Sequence, residues 1–395
     1  MKIVHIAHSY LDNYSYQENE LPEVQARLGS EVTVISTRDY AHCFNHQVPD
    51  LSLLNSYCYY IGQCKIIRLP LKFNVNYRFV MYKGLFKTLV AEHPDLIFFH
   101  EIPYFCLWDI IKYLKKEPHC QLFVDYHCDE YNSGHSMLSR LFLHKCLYRL
   151  MVKLTDKYVK MRYVVTPSTG TFIKRMYGID DSKIKLLPLG GDLKKMNVLN
   201  ASKIRKEIRA ELGINEQDIL IVSAGKINRD KNIHLLIQAY NKLIKARDIK
   251  LLLVGSVENA QYLGELKELA HHDPNVFFLG WQNPFMIYNF FMASDIACFP
   301  GSQSVLWQQA ICCGLPLICK YWEGSEYLNV ANNVLFVQKD SADELQKQIQ
   351  YLISNPQILE KMKHAVEVEA REYFSYDRIA MSISEDYYLQ KSVLE

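Results

Sequence analysis

Apolar residues along this chain gather in short unbroken runs instead of alternating with polar ones. In the first half the runs are Lys2–His8, Glu31–Thr37, Cys64–Pro70, Asp95–His100, Gln121–His127, Tyr163–Ser168 and Lys183–Gly190. Short runs rich in β-branched and apolar residues predict strands buried on both faces. Between most of them lie stretches of helical period, among them Glu18–Leu28, Arg78–His93 and Met137–Lys160. A βα succession of this kind predicts a parallel sheet with helices on both sides.

A polar stretch, Asn197–Lys206, precedes a second series of runs at Asp218–Gly225, Ile249–Ser256, Val276–Gly280, Ile296–Gly301, Pro316–Tyr321 and Asn333–Gln338. The expected architecture is α/β, with two Rossmann-like doubly wound domains, 1–195 and 196–373, joined near Leu193–Lys206 and facing across a cleft. Open sheets of this class bind ligands beyond the carboxyl ends of their strands, so residues that end strands are the ones to examine.

Composition narrows the class. A hydrophobic fraction of 49% and a charged fraction of 22% exclude a disordered or fibrous chain. No apolar run is long enough to span a bilayer, and the sequence opens on a strand-like run with no cleavage signal, so a cytoplasmic location is expected. The eleven cysteines contain no C-x-x-C pair and read as reduced core thiols. The formal charge of +2 conceals a basic first half and an acidic second half.

Five segments of the second half, in order, carry a family likeness: ILIVSAGKINRDKNIHLLIQAY (Ile219–Tyr240), LLLVGS (Leu251–Ser256), VFFLGW (Val276–Trp281), ASDIACFPGS (Ala293–Ser302) and QQAICCGLPLI (Gln308–Ile318). The first half adds PDLIFFHE (Pro94–Glu101), VDYHCDE (Val124–Glu130) and the segment Tyr163–Leu193. With these motifs the chain resembles the group 1 glycosyltransferases, family 4. The resemblance implies a GT-B fold, metal-independent transfer of a hexosyl group from a nucleotide-sugar with retention, no cofactor beyond that substrate, and a C-terminal helix, here 374–395, packing back on the first domain. It also implies an acceptor-binding first domain and a donor-binding second one.

The chemistry requires stabilisation of a departing diphosphate, a task for cations and backbone amides. The resemblance assigns that role to Lys226, just after Gly225, and to Lys231; Lys226 stands where the family has Arg, keeping the charge but losing the bidentate fork. It implies donor contacts from Gly280 and Trp281, from Ser302, Ser304, Val305 and Leu306 at the start of a helix, and from Gln309. The family's E-x7-E motif is here G-x7-Q, Gly301 to Gln309. An amide at Gln309 can still hold ribose hydroxyls, whereas Gly301 cannot supply the carboxylate proposed to face the reacting carbon. His127 ends a strand where the family uses a histidine beside the donor sugar. His100, Glu101 and Asp129 are expected on the acceptor side, with Tyr16 and Gln17 of the opening loop, whose aromatic and amide groups suit a sugar. The His127–Glu130 cluster lacks a convincing metal geometry, so no metal is expected.

Within Ser136–Arg162, seven bases oppose the single acid Asp156, and Lys145, Arg149, Lys153 and Lys157 recur every fourth residue among apolar neighbours. A basic amphipathic helix of this kind reads as a solvated face or as contact with anionic lipid at the inner face of a membrane, with Asn76–Lys87 adding to the patch. Nucleic acid is not expected, since the chain carries no recognised binding motif. The sequence therefore points to a retaining glycosyltransferase acting on a glycan or lipid-linked glycan in cell-surface polysaccharide synthesis. A catalytically inactive GT-B pseudo-enzyme that binds a partner, motivated by Gly301 and Gln309, and a nucleotide-sugar epimerase are the competing readings.

Overall fold

A computed structural model describes residues 1–8, 10–12, 14–38, 58–75, 79–100, 105–131, 133, 137, 139–244 and 248–392. Residue contacts divide the chain into two compact units, Met1–Pro188 with Ile379–Glu395, and Leu189–Arg378.

Among the described residues the first unit holds ten strands: β1 (Lys2–Ile6), β2 (Glu31–Thr37), β3 (Cys58–Ile61), β4 (Cys64–Leu69), β5 (Leu71–Val75), β6 (Phe79–Tyr82), β7 (Leu96–Phe99), β8 (Gln121–Tyr126), β9 (Val159–Val164) and β10 (Ile184–Leu186). Eight form one sheet in the order β10-β9-β8-β7-β1-β2-β4-β3, parallel throughout except for the edge pair β3–β4. The chain winds outward from β1 through β2, then returns to place β7 on the other side of β1. The topological switch therefore lies between β1 and β7.

The second unit holds β11 (Ile219–Ala224), β12 (Ile249–Val254), β13 (Val276–Gly280), β14 (Ile296–Phe299), β15 (Leu317–Lys320) and β16 (Val334–Val337). These run parallel in the order β13-β12-β11-β14-β15-β16, with the switch between β11 and β14. Successive residues of β11 bury opposite faces: Leu220, Val222 and Ala224 join one core cluster, Ile219 and Ile221 another. That two-sided burial explains why the strand reads as a continuous apolar run. Each fully buried side chain of this kind contributes roughly 1.5–3 kcal/mol.

Three expected elements differ. Arg78–His93 was expected to be one helix, but Phe79–Tyr82 pairs antiparallel with β5, and the helix begins only at Leu85. Gly84, in the left-handed region at φ 90°, makes that break. Met137–Lys160 is likewise shorter: a wide-turned π-type helix over Ser139–Tyr148 continues as an α-helix to Thr155, while Val159 and Lys160 already belong to β9. The hydroxyl of Thr155 donates to the carbonyls of Met151 and Val152 near the helix end. The polar stretch Asn197–Lys206 is not a bare linker, since Ala201–Glu211 is a helix whose Arg205 and Arg209 donate to the carbonyl of Ala293 and pair with Asp295.

Most of the final helix, Tyr376–Ser392, belongs to the first unit, and polar contacts hold it there. Buried Asp386 accepts from the Tyr163 hydroxyl at 2.7 Å and from Lys185 Nζ at 2.7 Å, and Gln121 Nε2 donates to the Tyr387 carbonyl at 3.1 Å. Asp386→Ala leaves a buried hydroxyl and an ammonium without their acceptor, so a loss of about 1–3 kcal/mol is expected in urea unfolding. An unchanged midpoint would remove this contact from the forces that dock the helix.

Candidate functional site

The switch between β11 and β14 brings two loops together at the carboxyl ends of their strands. Gly225, at φ 117°, turns the chain out of β11 and leads to Lys226, Ile227 and a short turn, Arg229–Lys231. Pro300–Ser304 leaves β14 beside it. The backbones are bonded directly: Ser302 N donates to the Asp230 carbonyl at 2.9 Å, and Asn232 Nδ2 donates to the Pro300 carbonyl at 3.2 Å. From the far side Trp322 Nε1 donates to the Gly301 carbonyl at 3.2 Å.

This closeness accounts for Gly301. A Cβ on that residue would lie 2.5 Å from Lys231 Cα and closer still to the Asp230 carbonyl oxygen. No side chain fits there without displacing backbone, so the position where the resemblance puts an acid has no room for one in this arrangement.

Lys231 lies in the same contact. Its ammonium donates to the carbonyls of Ser302 at 2.7 Å and Gln303 at 3.1 Å, and burial lowers its pKa to about 8. Lys226 is mostly exposed, with Glu258 at 4.0 Å. The hollow lined by Gly225, Lys226, Lys231, Gly301 and Ser302 holds about 10 Å³, about enough for one water. An anion reaching Lys231 must therefore compete with the protein's own carbonyls. A roomier hollow of about 610 Å³ opens at the opposite, amino ends of the strands, where Arg205, Glu216, Asp295 and Lys363 are already tied in ion pairs.

The other donor-side residues spread around these strand ends. Gly280 closes β13 at φ 66°, and the Trp281 side chain after it is about half exposed. Ser304 and Val305 precede the short helix Leu306–Cys312, where Leu306 N meets Ser304 Oγ at 3.4 Å. Trp307 and Gln309 are buried in that helix.

In the first unit, strand alternation sorts the polar residues. Leu122, Val124 and Tyr126 of β8 belong to the main core, so Phe123 and Asp125 face the other side of the sheet, together with His5, Phe98 and Tyr163. His100, just past β7, joins them. His100 Nδ1 is 3.0 Å from Asp125 Oδ2, and His127 Nε2 is 3.3 Å from the same oxygen. His100 and Asp125 are buried, while His127 is 26% exposed. His5 and Asp125 were not singled out from the sequence, although a histidine and an aspartate inside apolar strand runs were visible signals.

Among the described residues, His100, Asp125 and His127 are the group that could hold a metal ion, their ligand atoms lying within 4.8 Å of one another. The same groups are also joined by hydrogen bonds, at 3.0 Å from His100 and 3.3 Å from His127 to the Asp125 carboxylate.

The opening loop is pinned from below. Arg68 of β4, fully buried, pairs with Asp12 at 3.0 Å and donates to the carbonyls of Tyr10 and Thr37. Tyr16 stacks on Tyr14 with 5.7 Å between ring centroids, and the amide of buried Gln17 makes no hydrogen bond among the described residues. Asp129 Oδ1 accepts from Tyr131 N at 2.8 Å, forming a local turn. Glu101 lies outside the described residues.

The basic segment is sorted by exposure. Lys145, Lys153 and Lys157 are exposed, as are Phe142, Leu150 and Leu154, whereas Arg149 is half-buried and passes over Gly178. Arg162 is buried and pairs with Asp156 at 2.8 Å, which removes it from any surface patch. Ser136, Tyr77 and Arg78 lie outside the described residues.

Comparison with known proteins decides the family. A model described as "Glycosyl transferases group 1" matches residues 204–371, and one described as "Glycosyltransferase Family 4" matches residues 20–195. The chain belongs to the group 1 glycosyltransferases. Alpha-monoglucosyldiacylglycerol synthase of Streptococcus pneumoniae is 25% identical over 282 residues, 67% of this chain and 61% of that protein. The synthase of the same name from Acholeplasma laidlawii is 20% identical over 253 residues, 62% of this chain and 63% of that protein. The chain thus spans less than two thirds of the length of these curated relatives. Among solved structures, Anabaena Alr3699/HepE in complex with UDP matches with TM-score 0.71 at 16% identity, covering 98% of this chain and 100% of that one. Sucrose-phosphate synthase from Thermosynechococcus elongatus matches at 0.69 and 16% identity, with both chains fully covered. The fold is therefore GT-B, built of two Rossmann-like domains.

The packing of this group 1 glycosyltransferase around Gly301 yields a first test of the site. Gly301→Ala is expected to destabilise the protein by about 1–3 kcal/mol, the usual cost of overpacking, and Gly301→Glu by at least as much. Thermal unfolding checks it. Wild-type stability in Gly301→Glu would mean that the loop moves freely and that the acid could be accommodated after all.

Proposed function

We propose that this protein transfers a hexosyl group from a nucleotide-sugar to a glycan or lipid-linked acceptor, with retention and without a metal. One observation carries the reading: a half-buried lysine ammonium, Lys231, stands with Lys226 beyond the carboxyl end of β11, beside the switch point of a group 1 glycosyltransferase domain. That is where an open α/β sheet takes its ligand. Lys226 and Lys231 would neutralise the departing diphosphate, Gln309 would meet the ribose, and Trp281 would lie against the base. His127 would contact the donor sugar, with Tyr16, Gln17 and Asp129 toward the acceptor, while buried His100, both of whose ring nitrogens are bonded, to His5 and Asp125, would be structural. UDP is the first nucleotide to test because Anabaena HepE holds it. A lipid-linked acceptor is favoured by the names of two relatives, both synthases of a glucosyldiacylglycerol.

Calorimetry with nucleoside diphosphates tests the donor site. Lys231→Ala should weaken binding about 10- to 100-fold, the usual range for a lost charge-assisted contact. Wild-type affinity should also fall as the pH rises through about 8, because above its lowered pKa Lys231 is neutral. No heat with any nucleotide in the wild type would sink the transferase reading. It would favour the second one, a pseudo-enzyme that binds a partner, whose supporting observation is the backbone filling the space beside Gly301.

An anionic membrane surface fits the exposed lysines and apolar side chains of Phe142–Lys157, and the protein would work peripherally on the inner face. No helix among the described residues is long and apolar enough to cross a membrane. Vesicle binding should rise with anionic lipid content, weaken as salt screens charge over about 8–10 Å, and fall sharply in the double variant Lys145→Glu, Lys153→Glu. Equal binding to neutral vesicles would exclude the electrostatic mode.

A further inference from the structure

The polar residues on the far face of the first sheet form one continuous hydrogen-bonded chain. Gln25 Oε1 lies 2.6 Å from His5 Nε2, and His5 Nδ1 lies 3.0 Å from His100 Nε2. His100 Nδ1 and His127 Nε2 then share Asp125 Oδ2, at 3.0 and 3.3 Å. Everything in the chain but His127 is buried.

The direction of each bond follows from what its atoms can do. An amide oxygen only accepts, so His5 carries its proton on Nε2. Burial, followed by the neighbouring His100, lowers the His5 pKa to about 3, so the ring is neutral and its Nδ1 offers a lone pair. His100 Nδ1 donates to the carboxylate. Burial alone would push the Asp125 carboxyl up, but His100 and His127 outweigh it and hold it well below the usual carboxylate range. An anionic oxygen only accepts, which leaves His127 one role at this contact: to donate from Nε2.

We propose that Asp125, backed by His100, His5 and Gln25, is a positioning residue that fixes the tautomer of His127. The ring then keeps its proton on Nε2 and its lone pair on Nδ1, so it meets a sugar hydroxyl as a hydrogen-bond acceptor. The inference rests on the reading of His127 as a sugar contact and deepens it. The selection works through an acceptor-only partner, the same physics by which a buried aspartate orients the histidine of a serine protease. Here the anion is held by a second histidine, and no nucleophile is involved.

The test is long-range proton–nitrogen NMR of the His127 ring at alkaline pH, in the protein without ligand, followed by kinetics. In the wild type, Nε2 is expected to be the protonated nitrogen with no admixture of the other tautomer. In Asp125→Asn, whose side chain has nearly the same shape, the tautomers should mix or reverse, and turnover should fall about tenfold or more. A mixed or Nδ1-protonated ring in the wild type overturns the proposal, and so does an Asp125→Asn spectrum identical to wild type. The wild-type spectrum decides by itself if the variant does not fold. Failure of the transferase reading is seen separately, as absence of nucleotide binding, and does not alter the NMR outcome.

Discussion

The carboxyl ends of β11 and β14 are neighbours in one parallel sheet, and most of the second unit's site follows from that constraint. Parallel strands must be joined by crossovers, so the loops that leave two adjacent strands at a switch point diverge to opposite faces from a shared edge. Here they meet backbone to backbone, with Ser302 N bonded to the Asp230 carbonyl and the Lys231 ammonium capping two carbonyls of the facing loop. A glycine at position 301 makes so close an approach feasible. The cation, the tight turn and the bare Cα at position 301 are three aspects of one packing arrangement.

The first unit solves a different problem: keeping a carboxylate inside a sheet face otherwise occupied by rings. An unpaired buried carboxylate would simply take up a proton. Asp125 is spared that by two imidazoles, and His100 is itself held by His5, which is held by Gln25 from the helix Gln17–Arg27. Phe98 and Tyr163 stack beside this chain, and Tyr163 passes its hydroxyl on to Asp386 of the last helix. The residues around His127 and those that dock the C-terminal helix thus share one face of the sheet.

Strand-like runs were legible because parallel strands buried on both faces leave no polar alternation to confuse the reading; β2 and β13 match their runs end to end. The errors fell where that reasoning has no purchase. β5 and β6 form a two-stranded antiparallel ribbon outside the main sheet, and the aromatic pattern around Phe79 suits a strand as well as a helix. The edge strand β3 alternates exposed and half-buried residues and left no apolar run to detect. In the site, Lys226 and Lys231 were pointed to by the family resemblance, and His100 and His127 by their place just past strand ends, because topology carries the residues that follow parallel strands to one edge of the sheet. Strand-end logic could not reach Asp125 or His5, whose significance depends on which strands become neighbours and in what register, and that is a property of the assembled sheet.

Gly301 raises a question that the family pattern alone frames wrongly. The resemblance implies an acid at each of positions 301 and 309, where this sequence has glycine and glutamine. In the folded second unit, the two positions differ in kind. Gln309 is a buried side chain on the helix Leu306–Cys312. Position 301 admits no side chain at all, because the 230–231 backbone occupies the volume a Cβ would need. Restoring the acid at 309 is therefore a local change of chemistry, whereas restoring it at 301 requires the two loops to separate and Lys231 to give up at least one of its carbonyl partners. The nearest groups left to face positive charge at that position are backbone carbonyls, and those of Ser302 and Gln303 are already held by Lys231.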